Sequence, residues 1–259
     1  VIASRLNVSQ LVKAIMAHKE LKGIAKTRNI VEFLKLYQAL EGRNPNVPGI
    51  GLLVGEAGIG KTTAISWLQN QTNCIVVECS PVWTPYTMLS DIAFELGEPT
   101  TGGAQAVMNR VVERFKTSGK GLVLDETDDR LFVSGRKYHQ MVDLLRAIHD
   151  RTRNPLVFCG YKNMRTTIAR FPQLDGRVTQ VVDFERLDID DTELFVRAIC
   201  PELKLSNCLL PVLFRATEGR PRQTVTAVEY IRTVAGGEGW KEVTAAAWGD
   251  RRFFPGDRR

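Results

Sequence analysis

The sequence predicts an α/β fold, a doubly wound parallel sheet with a small all-helical piece behind it. Three observations carry that reading. Between residues 50 and 184 short apolar runs alternate with stretches of helical spacing, as strands joined by crossover helices do. A glycine-rich turn separates the first apolar run from the helix after it. After about Leu187 only helical periodicity continues.

Taken in order, Ser9 is placed to cap a helix reaching about Leu21. A second helix from about Asn29 to Leu40 carries Ile30, Phe33, Leu34, Tyr37 and Leu40 on one face. Asn44-Pro45-Asn46-Val47-Pro48-Gly49 breaks that pattern. The first strand is Ile50 to Val54, and Cys74–Val77, Leu122–Leu124, Leu156–Cys159 and Val178–Phe184 read as four more buried parallel strands. Helical spacing fills Met88–Leu96, Ala106–Phe115, Tyr138–Ile148 and Met164–Phe171. Beyond Leu187, Asp190-Asp191 begin a helix through Ile199. Leu209–Thr217 and Arg222–Val234 follow, with a short piece at Val243–Trp248. The expected organisation is a helical arm over 1–25, a nucleotide-binding core over 26–186, a helical lid over 187–248 and a basic extended tail over 249–259.

Composition narrows the class. The 259 residues are 44% hydrophobic and 25% charged, enough to bury a sizeable core. No apolar run approaches the ~20 residues of a membrane span, so no membrane partner is expected. Arg5, Asn7, Ser9 and Lys13 interrupt any secretory h-region, and the chain starts without Met, so an upstream segment could be missing from it. Five cysteines (Cys74, Cys79, Cys159, Cys200, Cys208) without a C-x-x-C pair, and three scattered histidines, argue against zinc or a disulfide framework and fit a reducing cytoplasm. Net charge is +6, and residues 1–50 hold eight Lys/Arg against three Glu. That excess favours a polyanionic partner weakly, since many solvated surfaces look alike.

The chemistry starts at Gly55-Glu56-Ala57-Gly58-Ile59-Gly60-Lys61-Thr62, a full G-x-x-x-x-G-K-[ST] between an apolar run and Thr63-Ala64-Ile65-Ser66-Trp67-Leu68. Glycines let backbone N–H groups close around phosphate oxygens, and the helix start adds partial positive charge. Lys61 is expected to reach the β- and γ-phosphates of ATP, and the Thr62 hydroxyl to ligate Mg²⁺. Leu122-Val123-Leu124-Asp125-Glu126 follows Lys61 by one strand and two helices. Asp125 is expected to hold the Mg²⁺, and Glu126 to orient and deprotonate the attacking water of an ATP hydrolase. Tyr161, Lys162 and Asn163 compete for the polar position that senses the γ-phosphate. Asn163 is the natural chemistry but lies two residues late. Arg177 is expected to reach across a subunit boundary, with Arg170 as runner-up, and Arg222 to reach back to the nucleotide.

These residues resemble the AAA+ ATPases and, within them, the family of the phage Mu B transposition protein and the related C-type regulators of bacterial transposons. The likeness runs over roughly residues 26–235, through Thr27-Arg28-Asn29, Thr84-Pro85, Ile92 to Gly97, Asp125 to Leu131, Leu144 to Asp150, Leu156 to Gly160 and Gly219 to Arg222. The resemblance implies a five-stranded sheet of order 5-1-4-3-2, a nucleotide at a subunit boundary, and Thr27 to Asn29 near the adenine. It also implies homo-oligomeric filaments on duplex DNA that mark a target and engage a transposase. Two departures matter: Tyr161 stands where a small polar residue is usual, and Pro99-Thr100-Thr101-Gly102-Gly103 replaces expected basic residues. DNA contact there would fall to the Thr100 and Thr101 hydroxyls, backbone N–H groups, Arg136 and Lys137, giving salt-sensitive, sequence-tolerant binding. Ile2 to Ser9 also resembles the middle of a helix-turn-helix, with too little chain before it to complete one. A replicative helicase loader or origin-binding ATPase shares the same core. A nucleotide-binding signalling scaffold without DNA is the other alternative.

Overall fold

The computed structural model describes residues 25–254, so the expected N-terminal helix, the partial helix-turn-helix and residues 255–259 lie outside the described residues. The chain divides into two compact units, Asn29–Glu185 and a second made of Arg186 onward with the segment up to Arg28.

The larger unit is a five-stranded parallel sheet with helices. In chain order it runs α1 (Arg28–Gly42), β1 (Ile50–Gly55), α2 (Lys61–Gln71), β2 (Cys74–Glu78), α3 (Pro85–Glu95), α4 (Ala104–Ser118) and β3 (Gly121–Asp125). It continues with α5 (Arg136–Thr152), β4 (Leu156–Gly160), α6 (Met164–Ile168), α7 (Pro172–Asp175) and β5 (Val178–Phe184). Strand order is β2-β3-β4-β1-β5, the expected 5-1-4-3-2 read from the other edge. β1 and β4 run in register from Ile50 opposite Leu156 to Val54 opposite Gly160, which lines up their C-terminal ends. In open parallel sheets the crevice beyond those ends takes ligands.

β1, β3 and β4 are buried along their whole length, and so carry the uninterrupted apolar runs of a sheet covered on both faces. Ile75 and Val77 of β2 share one apolar core with Met88, Leu89, Ile92 and Ala93 of α3 and with Val107 and Val111 of α4. β5 departs from the expected buried strand. It is the sheet edge, only Phe184 is fully buried, and Thr179, Gln180 and Asp183 are exposed. Phe184 meets Phe33 of α1 edge to face, with ring centroids 6.2 Å apart.

Two helices start or stop where local chemistry overrides apolar spacing. α3 begins at Pro85, a turn before Met88, because Thr84 and Thr87 cap each other reciprocally and proline suits the first helical position. The helix expected over Met164–Phe171 stops at Ile168, and a second short one begins at Pro172, which disfavours helical backbone at Phe171.

The smaller unit holds α8 (Ile189–Ile199), β6 (Lys204–Leu205), α9 (Leu210–Thr217), α10 (Pro221–Glu238), β7 (Glu242–Val243) and α11 (Ala245–Trp248). It is therefore not purely helical: β6 and β7 pair in parallel, and Val243 is strand where a helix was expected. Asp188 caps α8 by accepting from the Asp191 backbone N–H at 2.8 Å. Val196, Leu213, Ala227, Ile231 and Trp248 form its own core. The stretch after Trp248 does not simply extend away: Phe253 is buried and stacks on the Trp248 ring, centroids 5.4 Å apart.

Candidate functional site

The C-terminal ends of β1, β3 and β4 bring the expected phosphate loop, the acidic pair and Tyr161 to one place. The loop from Gly55 to Thr62 turns on Gly58 and Gly60, whose φ of +73° and +96° suit glycine. Ile59 is buried and anchors the loop, while Ala57, Thr62 and Thr63 are exposed. α2 starts within it, at Lys61, leaving its first backbone N–H groups free of intrahelical partners. Lys61 Nζ donates to the carbonyls of Gly55 (2.8 Å) and Glu56 (2.9 Å) and lies 5.5 Å from the centre of the Tyr161 ring. Glu56 and Lys162 face each other at 4.0 Å.

Thr62 Oγ1 donates to Asp125 Oδ2 at 2.8 Å, joining the loop to the end of β3. A hydroxyl and a carboxylate at hydrogen-bond distance beside a phosphate loop are a hard-oxygen donor set of the kind Mg²⁺ takes. The other oxygen of Asp125 accepts from the backbone N–H of Glu126 at 2.8 Å. Glu126 has a left-handed backbone, φ +56°, at a residue that is not glycine, and such strain costs about 1–3 kcal/mol. Its carboxylate pairs with Arg130. Arg130 in turn donates to the carbonyl of Cys79 at 2.7 Å and lies 3.4 Å from Glu78. Glu78 ends β2 and Cys79 follows it, and β2 flanks β3 on the side away from β4 and β1. Arg130 therefore draws the Glu126 carboxylate away from the phosphate loop.

A second lacing ties the β3 exit to the β4 exit. The backbone N–H and the hydroxyl of Thr127 both donate to the Cys159 carbonyl at 2.9 Å. Asp128 Oδ2 accepts from the Tyr161 backbone N–H at 2.7 Å, while its Oδ1 is buried without a hydrogen-bond partner. Gly160 leaves the room that this carboxylate fills, since a Cβ there would collide with it. Burial pushes the Asp128 carboxyl above its usual range, against the pull of the Tyr161 N–H and of Lys61. Asn163 stands two residues further on, exposed at the start of α6, with its carbonyl accepting from Thr167.

Each of the other expected site residues has its own surroundings. Arg177 is paired within its own chain: its Nε and Nη2 grip both oxygens of Asp150 on α5, at 2.8 and 2.9 Å. Burial would raise the Asp150 carboxyl, but the hydrogen bond and charge of Arg177 outweigh it and hold the group below the usual range. Arg170 is exposed. The Asn29 amide is committed to the Glu185 backbone, donating to its carbonyl at 2.7 Å and accepting from its N–H at 3.2 Å. That pairing clamps its side chain to the end of β5. Thr27 is buried, and the next residue's N–H donates to Asp191 Oδ1 at 2.9 Å. Arg222 is exposed in the first turn of α10, within the smaller unit.

The segment holding Thr100 and Thr101 is braced from below. Tyr86 donates to the Thr100 carbonyl at 2.9 Å, and Arg110 reaches the carbonyls of Pro99 and Thr101. Arg136 is exposed, and Lys137 lies 3.4 Å from the Trp83 carbonyl and 4.7 Å from the Tyr138 ring centre. Sequence reasoning overlooked Arg110, Asp128 and Arg130 as individuals. For Asp128 and Arg130 the dense acidic run 125–129 was the available signal, because so many carboxylates require cations and N–H donors nearby. Among the described residues no helix is long and apolar enough to cross a membrane.

Residues 46–168 match the family model of an AAA domain. The structure is similar to that of the Aeropyrum pernix ORC2 protein in its ADPNP–ADP complexes, with a TM-score of 0.68 and 15% identity over 88% of this chain and 68% of that one. It is also similar to Cdc6p from Pyrobaculum aerophilum, with a TM-score of 0.61, 17% identity and coverage of 87% and 66%. The Aeropyrum pernix ORC1 protein in complex with DNA gives 0.60 and 19%, over 83% and 61%. The chain thus spans about two thirds of the length of these structures. No curated protein sequence matches it. The fold is the P-loop AAA+ fold, a parallel five-stranded sheet with flanking helices and a largely helical C-terminal part.

Proposed function

We propose that this chain is an AAA+ ATP hydrolase whose nucleotide state governs its assembly on duplex DNA. The observation that carries the reading is the hydrogen bond from Thr62 to Asp125 beside Lys61, which joins a phosphate loop to a paired-acid strand end. Mg²⁺, when held by Thr62 and Asp125, supplies charge neutralisation for the β- and γ-phosphates. The residues of this chain do the rest. Backbone N–H groups of the loop and the start of α2 hold the phosphates, and Lys61 exchanges its carbonyl partners for phosphate oxygens. Glu126 takes the proton of the attacking water. Arg177 of one copy, released from Asp150, and Arg222 steady the transferred charge of a nucleotide held between copies.

The DNA part rests on the basic excess, on Arg136, Lys137 and the Thr100–Thr101 segment, and on the likeness to an ORC1 protein whose structure is a complex with DNA. Two biological settings fit. The resemblance of the sequence to Mu B and the C-type transposon regulators supports target selection and recruitment of a transposase. The similarity to ORC and Cdc6 structures supports an origin-binding or helicase-loading role. Co-purification with a transposase or with a helicase separates them.

The test is sedimentation of the protein with duplex DNA, with and without ATP. Glu126→Gln should trap ATP-bound oligomers on DNA, and Lys61→Ala should abolish nucleotide binding and assembly together. Assembly indifferent to Lys61→Ala rejects the reading. ATP binding with neither turnover nor DNA-linked assembly leaves a signalling scaffold instead.

A further inference from the structure

Between the acidic strand end and the neighbouring strand lies a contact that nothing in the phosphate-loop chemistry requires. Asp128 reaches from the β3 exit to the backbone of Tyr161 at the β4 exit, and Gly160 has no side chain where the carboxylate passes. Thr127 doubles the tie through two bonds to the Cys159 carbonyl. The result is felt at Lys61, because the Tyr161 ring so fixed lies 5.5 Å from its ammonium, within reach of a cation–π attraction.

We propose that Asp128 is a positioning residue for nucleotide turnover, fixing the β4 exit so that Tyr161 faces the phosphate-loop lysine. The inference rests on the hydrolase reading above and adds to it a residue that acts through the Tyr161 backbone. Asp128 sits three residues past Asp125, which would hold the Mg²⁺, and its bond to the Tyr161 N–H ties the β3 end to the β4 exit. Tyr161 is 45% exposed, which leaves its phenol free to meet a γ-phosphate that Lys61 also contacts. The acceptor that matters is a single oxygen receiving one N–H, so an amide serves in place of the carboxylate.

The experiment uses the full chain with Asp128→Ala, Asp128→Asn, Tyr161→Ala and the Asp128→Ala/Tyr161→Ala pair. It measures kcat and KM for ATP, equilibrium binding of a fluorescent ATP analogue, and thermal unfolding. Asp128→Ala should lower kcat about tenfold and leave nucleotide affinity within about twofold, the signature of a contribution made in the transition state. Asp128→Asn should keep at least about half of kcat, since its carbonyl still accepts from the Tyr161 N–H. The double variant should be no slower than Tyr161→Ala alone, because the two residues act in series. Should Asp128→Ala fail to fold, Gly160→Ala crowds the same carboxylate without removing it and should show the same kcat loss. Wild-type turnover untouched by these changes, equal losses of binding and kcat, or additive losses in the double variant would overturn the inference alone. A wild-type chain that binds ATP and never hydrolyses it removes the hydrolase reading, and this inference with it.

Discussion

Arg177 holds both carboxylate oxygens of Asp150, Nε at 2.8 Å and Nη2 at 2.9 Å, so the arginine at the start of β5 is engaged inside its own chain. Each side chain is less than a third exposed, and the two-point geometry makes the pair stronger than an ordinary surface ion pair. Asp150→Asn and Arg177→Ala are each expected to lower stability by about 1–2 kcal/mol. Only Arg177→Ala should also abolish DNA-stimulated hydrolysis. Adding Arg177→Ala protein to an excess of Lys61→Ala protein, which supplies intact arginines, should restore part of the rate; no recovery argues against a role across copies.

Arg130 anchors Glu126 toward β2, away from the strand that bears the phosphate loop. Arg130→Ala is expected to free the carboxylate, raising DNA-independent ATP hydrolysis severalfold with little change in ATP binding. A steady-state ATPase assay with parallel nucleotide titration checks this. A fall in rate would mean that Arg130 aims Glu126 instead of restraining it.

His149 gives a pH dependence whose direction is fixed by its bonds. It is buried, its Nε2 accepts from the Gly49 N–H at 3.2 Å, and its Nδ1 faces the Asn154 carbonyl at 2.9 Å. Those partners specify the neutral Nδ1–H form. Burial lowers its pKa below the usual 6.5, opposed by the Asn154 carbonyl and aided by Arg43. The unfolded chain therefore binds more protons, so this contribution is complete above about pH 6.5 and is lost as pH falls toward the folded value. Thermal unfolding from pH 8 to pH 5 should show the loss, and His149→Gln should flatten that part of the curve.

Trp248 fills the smaller unit's core, stacked on Phe253 and edge-on to Tyr230 at 6.0 Å, with its indole N–H donated to the Arg251 carbonyl at 2.8 Å. Trp248→Ala should cost about 3–5 kcal/mol and Phe253→Ala somewhat less. Calorimetry of the two variants reads this directly.

What was legible beforehand follows from how each feature is encoded. β1, β3 and β4 could be read because strands covered on both faces are apolar at every position, and the phosphate loop because its glycines and lysine are contiguous. β5 could be recognised as a strand too, but Thr179, Gln180 and Asp183 interrupt its apolar run, and those are the positions that the sheet edge leaves exposed. The helical spacing of Val243–Trp248 concealed a two-residue strand that exists only through its pairing with Lys204–Leu205. Arg177 was read from its place just before the last strand, and Asn29 from the family resemblance. Their partners, Asp150 and the Glu185 backbone, lie 27 and 156 residues away, beyond any local pattern.

Position 160 and position 128 occupy one volume, and no drift at either can be independent. Homologues that place even a methyl group at 160 are expected to have surrendered the acid at 128, and those keeping the acid should keep glycine. Covariation at this pair, collected across many genomes, would trace where in evolution the two strand ends were coupled.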